Sequence, residues 1–242
     1  EVVFSGINLP SYGQDTGTNL IELIEHSAQV EGIERIRLGS LEPDLLSDDD
    51  IARMARTEKL CPQFHLSLQS GCTATLRRMR RPYTTAQYLE VVEQLRAAYG
   101  SRPVSFTTDC LCGFPGETEA DFEASFAFLE PGGFLRGHVF PYSRREGTPA
   151  YSFPGQVVEE EKQARSRRML LRAEAVRARV LAGLEGAEDE VLLETPLSAT
   201  VFTGYTRLYV PVAVAAPGCS AGQIVRERLG RYDGARVRAE LG

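Results

Sequence analysis

Two different hydrophobic periods divide this chain of 242 residues, and the change between them limits the folds open to it. Through the first 185 residues, short apolar runs alternate with amphipathic ones. "EVVFSGI", "ERIRLGSL", "FHLSLQS", "PVSFTTDCLCG" and "FLRGHVFPYS" read as strands. "NLIELIEHSAQV", "SDDDIARMART", "TTAQYLEVVEQLRAAYG" and "TEADFEASFAFL" read as helices, followed by a long one across 157–184. Ser47 and Thr118 suit N-caps, acids fill the first turn after Ser47, and Gly100 ends its helix. Strands separated by helices of this length pair in parallel through right-handed crossovers. From about Glu188 the helical period stops. "DEVLLET", "LSATVFTGYTRLYVPVAV", "GQIVRERLG" and "ARVRAEL" are short strands punctuated by glycine and proline. The expected fold class is α/β: a partial parallel (β/α) barrel over 1–187, then a small antiparallel β-barrel over 188–242.

The remaining composition excludes several classes. No apolar run approaches the roughly 18 residues of a membrane span, and "EVVFSGINLP" has neither the basic nor the long apolar region of a signal peptide. The first residue is Glu, which leads us to expect a fragment or a processed product. Five cysteines, an odd number without regular spacing, argue against a disulfide framework and for a reducing, cytoplasmic setting. The net charge of −6 is unevenly spread: residues 1–60 hold twelve acids and five bases, whereas "LRRMRRP" packs four arginines into seven positions. Such a local basic surface can receive phosphates on an acidic protein.

Polar residues gather where the predicted parallel strands end: Ser40 and Glu42; Gln69, Ser70 and Gly71; Asp109, Gly113, Gly116 and Glu117; Tyr142, Ser143, Arg144 and Thr148. Parallel barrels build active sites on that edge, from several strands at once. The competing reading is that these are ordinary turn residues. In "GFPGET" (113–118), glycines allow a positive φ, Pro115 stiffens the bend, and the following helix offers free N–H groups. It is neither a dinucleotide fingerprint nor a phosphate-binding Walker loop. Cys110 and Cys112 share one strand face. Metal sites space their thiolates around turns, so the pair reads as two buried residues and no metal ligand is assigned. His65 and His138, each alone in sequence, read as satisfied polar residues, and His26 as surface.

"CPQFHLSLQSGCTATLRRMRRPYT", "TDCLCGFPGETEADF" and "HVFPYSRREGTPA", in this order and spacing, resemble the radical-SAM methylthiotransferases that modify tRNA. The resemblance runs over essentially the whole chain. "HLSLQSG" and "HVFPYSRREGTPA" look most like the branch acting on N6-threonylcarbamoyladenosine at tRNA position 37; the isopentenyladenosine branch is the alternative. The resemblance implies a radical-SAM barrel lacking its first strand, followed by an RNA-binding TRAM domain. It implies S-adenosylmethionine as cofactor, with two [4Fe–4S] clusters in the full-length enzyme whose ligands are not in this chain. This chain alone is therefore expected to be inactive. The implied partners are the tRNA anticodon stem-loop, an N-terminal domain in cis, and an electron donor such as flavodoxin or ferredoxin, with no membrane.

Residue by residue, the resemblance places Ser40, Glu42, Gln69 and Ser70 at the ribose and amino-acid end of the cofactor, and Gly113 and Phe114 along its adenine. Asp109 faces the cavity and Arg80 lies in a basic stretch beside it; these two are the catalytic candidates, with Arg81 adjacent. Asn8 and Tyr12 match a stretch following the family's second strand. In the small barrel, Arg207, Arg226, Arg228 and Arg231 suit phosphates and Tyr205 and Tyr209 suit base stacking. The i, i+2, i+4 spacing of Tyr205, Arg207 and Tyr209 predicts one shared strand face. The implied reaction replaces the hydrogen on C2 of the adenine with a methylthio group. Two rival readings are a non-catalytic tRNA-binding module and a hydrolase or lyase on a complete eight-stranded barrel, for which the strands are too few.

Overall fold

The computed structural model describes residues 1–6 and 8–240; Ile7 and Leu241, which end two of the predicted runs, lie outside them. In chain order the first part contains β1 (Val2–Phe4), α1 (Leu20–Ala28), β2 (Ile36–Leu38), β3 (Ser40–Leu41), α2 (Asp48–Arg56), β4 (Gln63–Leu66), α3 (Thr73–Arg78), α4 (Thr85–Tyr99), β5 (Ser105–Cys112), α5 (Glu119–Gly132), β6 (Arg136–Pro141) and α6 (Glu159–Ala182). Only Gly39 separates β2 from β3, and its N–H donates to Phe4 O at 2.7 Å. The two segments therefore act as one bent strand. Pairing is parallel and in sequence order: Val2 opposite Ile36, Ser40 opposite His65, Gln63 opposite Ser105, and Thr107 opposite Arg136. The result is an open arc with a convex face under helices and a concave face, or lumen.

The helices begin where the local chemistry directs. Ser47, Thr84 and Thr118 each accept the N–H three residues on, and Asp50, Gln87 and Asp121 return the bond, closing three capping boxes. The helix α3 falls inside the basic stretch, where the sequence reading placed only charge. Alternation along β5 divides its side chains. Phe106, Thr108, Cys110 and Cys112 turn outward into the helix layer, where Phe64, Tyr88, Phe106 and Phe122 are fully buried. Each such aromatic contributes about 2–3 kcal/mol of transfer free energy. Thr107, Asp109 and Leu111 face the lumen.

The second part is a closed barrel of β7 (Glu188–Pro196), β8 (Val201–Thr206), β9 (Pro211–Ala215), β10 (Ile224–Tyr232) and β11 (Val237–Glu240), ordered β7–β8–β9–β11–β10. Four of its pairings are antiparallel, but β11 runs parallel to β9, so the expected all-antiparallel barrel is corrected in this one contact. Closure with a strand-order swap leaves no unpaired sheet edge, as in other small Greek-key barrels. A core of Val191, Leu193, Phe202, Val210, Val212, Val214 and Leu229 fills it. Gly204 is required where β8 crosses β7, because a Cβ there would run into Leu192 O.

The barrel docks under the N-terminal ends of the parallel strands. Arg37 donates to Thr206 O (2.6 Å) and Arg207 O (3.0 Å), Arg35 to Tyr205 O (3.3 Å) and Glu190 O, and Ser105 Oγ to Leu208 O (2.6 Å). Both arginines are almost fully buried. Leu135, just before β6, joins the small barrel's core.

Candidate active-site cleft

At the opposite, C-terminal edge of the arc lies a cavity of about 320 Å³. Its apolar wall is Leu111, Phe114, Phe153 and Met79; its polar groups come from Gln69, Thr148 and the arginines at 78, 80 and 81. The phenyl ring of Phe114 meets Tyr142 and Phe153 edge-on, with centroids 5.3 and 6.3 Å apart, which fixes that wall. Gln69 adopts φ +65°, unusual for a residue other than glycine. Its backbone is clamped to β5, with its N–H to Asp109 O and its carbonyl accepting from Leu111, both at 2.9 Å. This frees the carboxamide to line the cavity. Arg80 is likewise left-handed (φ +58°), is exposed, and forms no ion pair among the described residues. Its neighbours are occupied: Arg81 chelates both Glu42 oxygens (3.0 and 2.9 Å), and Arg78 binds Asp121 at 2.8 Å.

The turn "GFPGE" beside the cavity is held by a buried ion pair. Glu117 Oε1 accepts from Gly113 N–H (2.9 Å) and from Arg165 Nη1 (2.9 Å), and Arg165 also reaches Glu161 and Glu119. Burial pushes the Glu117 carboxyl up, while Gly113 and Arg165 pull against that push. Gly113, at φ +77°, packs so closely on Lys162 of α6 that a Cβ would collide with it. Thus Gly113 shapes the turn, and its N–H is spent on Glu117.

The positions expected from sequence separate into groups. Gln69, Phe114 and Arg80 come together on the cleft. Glu42 stands behind it as the partner of Arg81, and Ser40 is exposed on the neighbouring strand. Ser70 does not reach a cofactor position. It is buried on the helix side, bonding Ser125 Oγ (2.9 Å) and accepting from Cys72 N–H (3.2 Å). Asp109 points into the lumen, 3.5 Å from His65 Nε2, and the His65 imidazole holds its carboxyl below the usual range. His138 pairs with Asp109 in register, and burial followed by Arg136 lowers its pKa. The two histidines that stand alone in sequence thus meet in space.

The barrel positions require corrections. The single strand face expected for Tyr205, Arg207 and Tyr209 is not formed, because β8 ends at Thr206 and Tyr209 turns at φ +63°. Arg207 points back into the interface and donates to Glu58 O and to Leu60 O (3.0 Å). Through Nη2 it clamps the two parts together. The Tyr205 and Tyr209 rings stack on each other (centroids 4.5 Å, 16° between planes), and Arg37 lies 5.0 Å from the Tyr209 centroid. Tyr209 therefore has a ring on one side and a guanidinium beside it. Arg226 and Arg228 extend outward next to Glu188 (3.5 and 3.6 Å), and Arg231 is exposed without an acid partner among the described residues. The basic stretch and the barrel occupy opposite ends of the strands, about 25 Å apart for an eight-residue strand.

Sequence reasoning did not find Phe153, Leu111, Arg165, Arg35 or Arg37. The first two are apolar and carry no chemical signal; the arginines lie among many other charges. The cysteines contribute no metal ligand set. Cys61, Cys72, Cys110 and Cys112 are all buried, and desolvation pushes the Cys112 thiol up to about 12 and Cys110 higher still.

Residues 1–129 match the Radical SAM superfamily. Over 239 residues the chain is 35% identical to the threonylcarbamoyladenosine tRNA methylthiotransferase of Thermotoga maritima, covering 99% of this chain and 52% of that protein. It is 36% identical to the enzyme of that name from Chlamydia pneumoniae (96% and 55% covered), and 37% identical to the tRNA-2-methylthio-N(6)-dimethylallyladenosine synthase of Acetivibrio thermocellus (95% and 48%). The chain thus spans about half the length of the curated relatives it matches. Among solved structures, coproporphyrinogen III oxidase from Escherichia coli aligns at a TM-score of 0.49 and 14% identity, over 66% of this chain and 36% of that one.

Proposed function

The chain belongs to the Radical SAM superfamily, and we propose that it forms part of a tRNA methylthiotransferase in which the C-terminal strand edge holds S-adenosylmethionine and the small barrel helps hold tRNA. The observation that carries this reading is the cleft. It combines an edge-packed aromatic wall with an unpaired cation and a clamped carboxamide, all at the strand ends where parallel barrels keep their ligands.

S-adenosylmethionine fits these residues. Phe114, Phe153 and Leu111 offer an apolar bed for the adenosyl group, Gln69 offers hydrogen bonds to hydroxyls, and Arg80 is a free partner for a carboxylate. When bound, that cofactor supplies the radical chemistry. This chain's residues bind, orient and keep water out: Phe114 and Phe153 close the wall, Glu117 with Arg165 fixes the turn, and Arg81 with Glu42 stiffens the floor. The cysteines do not fit an iron–sulfur cluster, since four are buried, Cys110 and Cys112 face the helices, and no cysteine belongs to a group of three potential ligands among the described residues. No step is assigned to a cluster on these residues.

On the RNA side, Arg80 is exposed on the cleft, Arg77 and Arg145 are exposed on segments that flank its lining residues, and Arg231, with Arg226 and Arg228 beside Glu188, extends from the barrel. Phosphates bound at both ends of the strands would account for a partner the size of a stem-loop. Threonylcarbamoyladenosine is the substrate we favour, because alignments spanning 239 and 234 residues of this chain carry that name, and we place the protein in a reducing cytoplasm. No helix among the described residues is long and apolar enough to cross a membrane. The test is expression of the reading frame containing this chain in a host stripped of its own methylthiotransferases, followed by mass spectrometry of tRNA nucleosides. A methylthio group on threonylcarbamoyladenosine supports the reading. The group on isopentenyladenosine moves the substrate to the alternative, and the absence of both products overturns the reading.

A further inference from the structure

Below the cleft, inside the lumen, three side chains from three adjacent parallel strands converge: His65 on β4, Asp109 on β5 and His138 on β6. Strand register brings them together. Asp109 lies directly opposite His138, and His65 opposite Thr107, so all three project from one face within a single pleat step. Their donor atoms lie within 4.8 Å of one another, and Asp109 Oδ2 is 3.5 Å from His65 Nε2. We propose that His65, Asp109 and His138 form a binding site for one divalent transition-metal ion such as zinc or ferrous iron, separate from the cleft above it.

Three observations carry the proposal. First, the donor set is two imidazoles and one carboxylate, the combination that suits zinc and ferrous iron and leaves coordination positions open. Second, His65 is already oriented as a ligand. Its Nδ1 is 3.0 Å from Thr107 Oγ1, which is itself 3.3 Å from Gln63 Nε2, while Nε2 is sealed from solvent and forms no hydrogen bond. A ligating imidazole is typically fixed through its other nitrogen in this way. Third, the spacing suits an ion. Metal–donor bonds of about 2.0–2.2 Å put neighbouring donors roughly 3.0–3.5 Å apart, so the His65–Asp109 pair needs no movement, and the His138 donor, within 4.8 Å of both, lies close to that range. Cysteine is not a competing ligand here, because Cys110 alternates to the other face of β5. Leu111, two residues beyond Asp109 on the same face, lines the cleft. The ion would therefore lie about 7 Å beneath the cleft, with its open positions toward the lumen.

The experiment uses the 242-residue chain, stripped with chelator and titrated with cobalt(II) and then zinc(II) by visible absorption and calorimetry. The expected result is one equivalent of cobalt with ligand-field bands of a low-coordinate nitrogen–oxygen site, displaced by one equivalent of zinc. Asp109→Asn and His138→Ala should each weaken binding at least tenfold, and Thr107→Val about tenfold through loss of the bond that orients His65. His26→Ala, the only histidine outside the cluster, should bind as the parent does. Circular dichroism on each variant separates ligand loss from unfolding, and Asp109→Glu, which keeps the carboxylate, should retain measurable binding where Asp109→Asn does not. Sub-stoichiometric cobalt, or equal affinity in the parent, Asp109→Asn and His138→Ala, overturns the site.

Discussion

Replacing Arg37 with Met tests how the two parts of this protein are held together. Arg37 is 3% exposed, and its guanidinium donates to Thr206 O at 2.6 Å and Arg207 O at 3.0 Å and contacts the Glu1 carboxylate at 3.0 Å. Methionine matches much of its length but removes every donor. Each charge-assisted bond contributes about 1.5–3 kcal/mol. The Thr206 carbonyl keeps the Tyr209 N–H (3.0 Å) but loses its charge-assisted partner in a buried contact, and the Glu1 carboxylate loses its cation, whereas water can reach the partly exposed contact to Arg207. The expected loss is therefore about 3 kcal/mol, near the lower end for breaking a buried pair. For a chain of this size that lowers the melting temperature by roughly 6–12 °C if unfolding remains a single transition. Differential scanning calorimetry reads the shift directly, and limited proteolysis between α6 and β7 reports whether the parts separate first. Arg207→Ala, which removes bonds to Glu58 O and Leu60 O, should act in the same direction. A shift below about 2 °C for Arg37→Met, with proteolysis unchanged, would refute the claim that these carbonyl clamps join the parts.

Three further outcomes follow from the same contacts. Glu117→Gln and Arg165→Met should each destabilise by about 3 kcal/mol, with a coupling above roughly 1.5 kcal/mol in the double-mutant cycle; additive effects would deny that the pair anchors the cleft turn. Asp121 is held at about 2: burial pushes its pKa up, but the Thr118 N–H, Arg78 and the Cys72 thiol outweigh that. A depressed carboxylate stabilises the fold fully above its unfolded value and loses that contribution as pH falls from about 4 toward 2. Urea titrations across that window should therefore show up to about 2 kcal/mol more acid sensitivity in the parent than in Asp121→Asn, and equal slopes would contradict it. For a phosphorylated stem-loop, Arg80→Ala and Arg231→Ala should each lower the salt dependence of binding by about one unit of slope, while Arg207→Ala should leave it unchanged; a drop for Arg207 would return that residue to the RNA surface.

The period change at Glu188 was legible because a strand and a helix place apolar residues at incompatible intervals, and the N-caps at Ser47 and Thr118 were legible because capping is local. What the sequence could not display was which chemistry meets across strands. His65, Asp109 and His138 are separated by dozens of residues and meet only through β-register. Ser70 read as a cleft residue because it stands at a strand end, but Gln69 turns left-handed just before it and Ser70 faces Ser125. The tyrosine pair failed for a similar reason. An i, i+2, i+4 argument assumes an unbroken strand, and β8 breaks at Arg207. Arginine gave the weakest signal. Arg35 and Arg37 are buried clamps and Arg80 is a free cation in the cleft, a difference set by which carbonyls lie opposite and not by residue type.

We propose that the C-terminal edge between Gln69, Leu111, Phe114 and Phe153 holds S-adenosylmethionine. Photo-crosslinking with an azido-adenine analogue of the cofactor, followed by peptide mapping of the protein that contains this chain, tests it most directly. Labelling should fall on the segments 111–114 and 148–153, be competed by unmodified cofactor, and drop at least tenfold with Phe153→Ala. Label concentrated at the interface around Leu60, Arg102 and Arg226, or spread evenly and uncompeted, would contradict the assignment of the cleft.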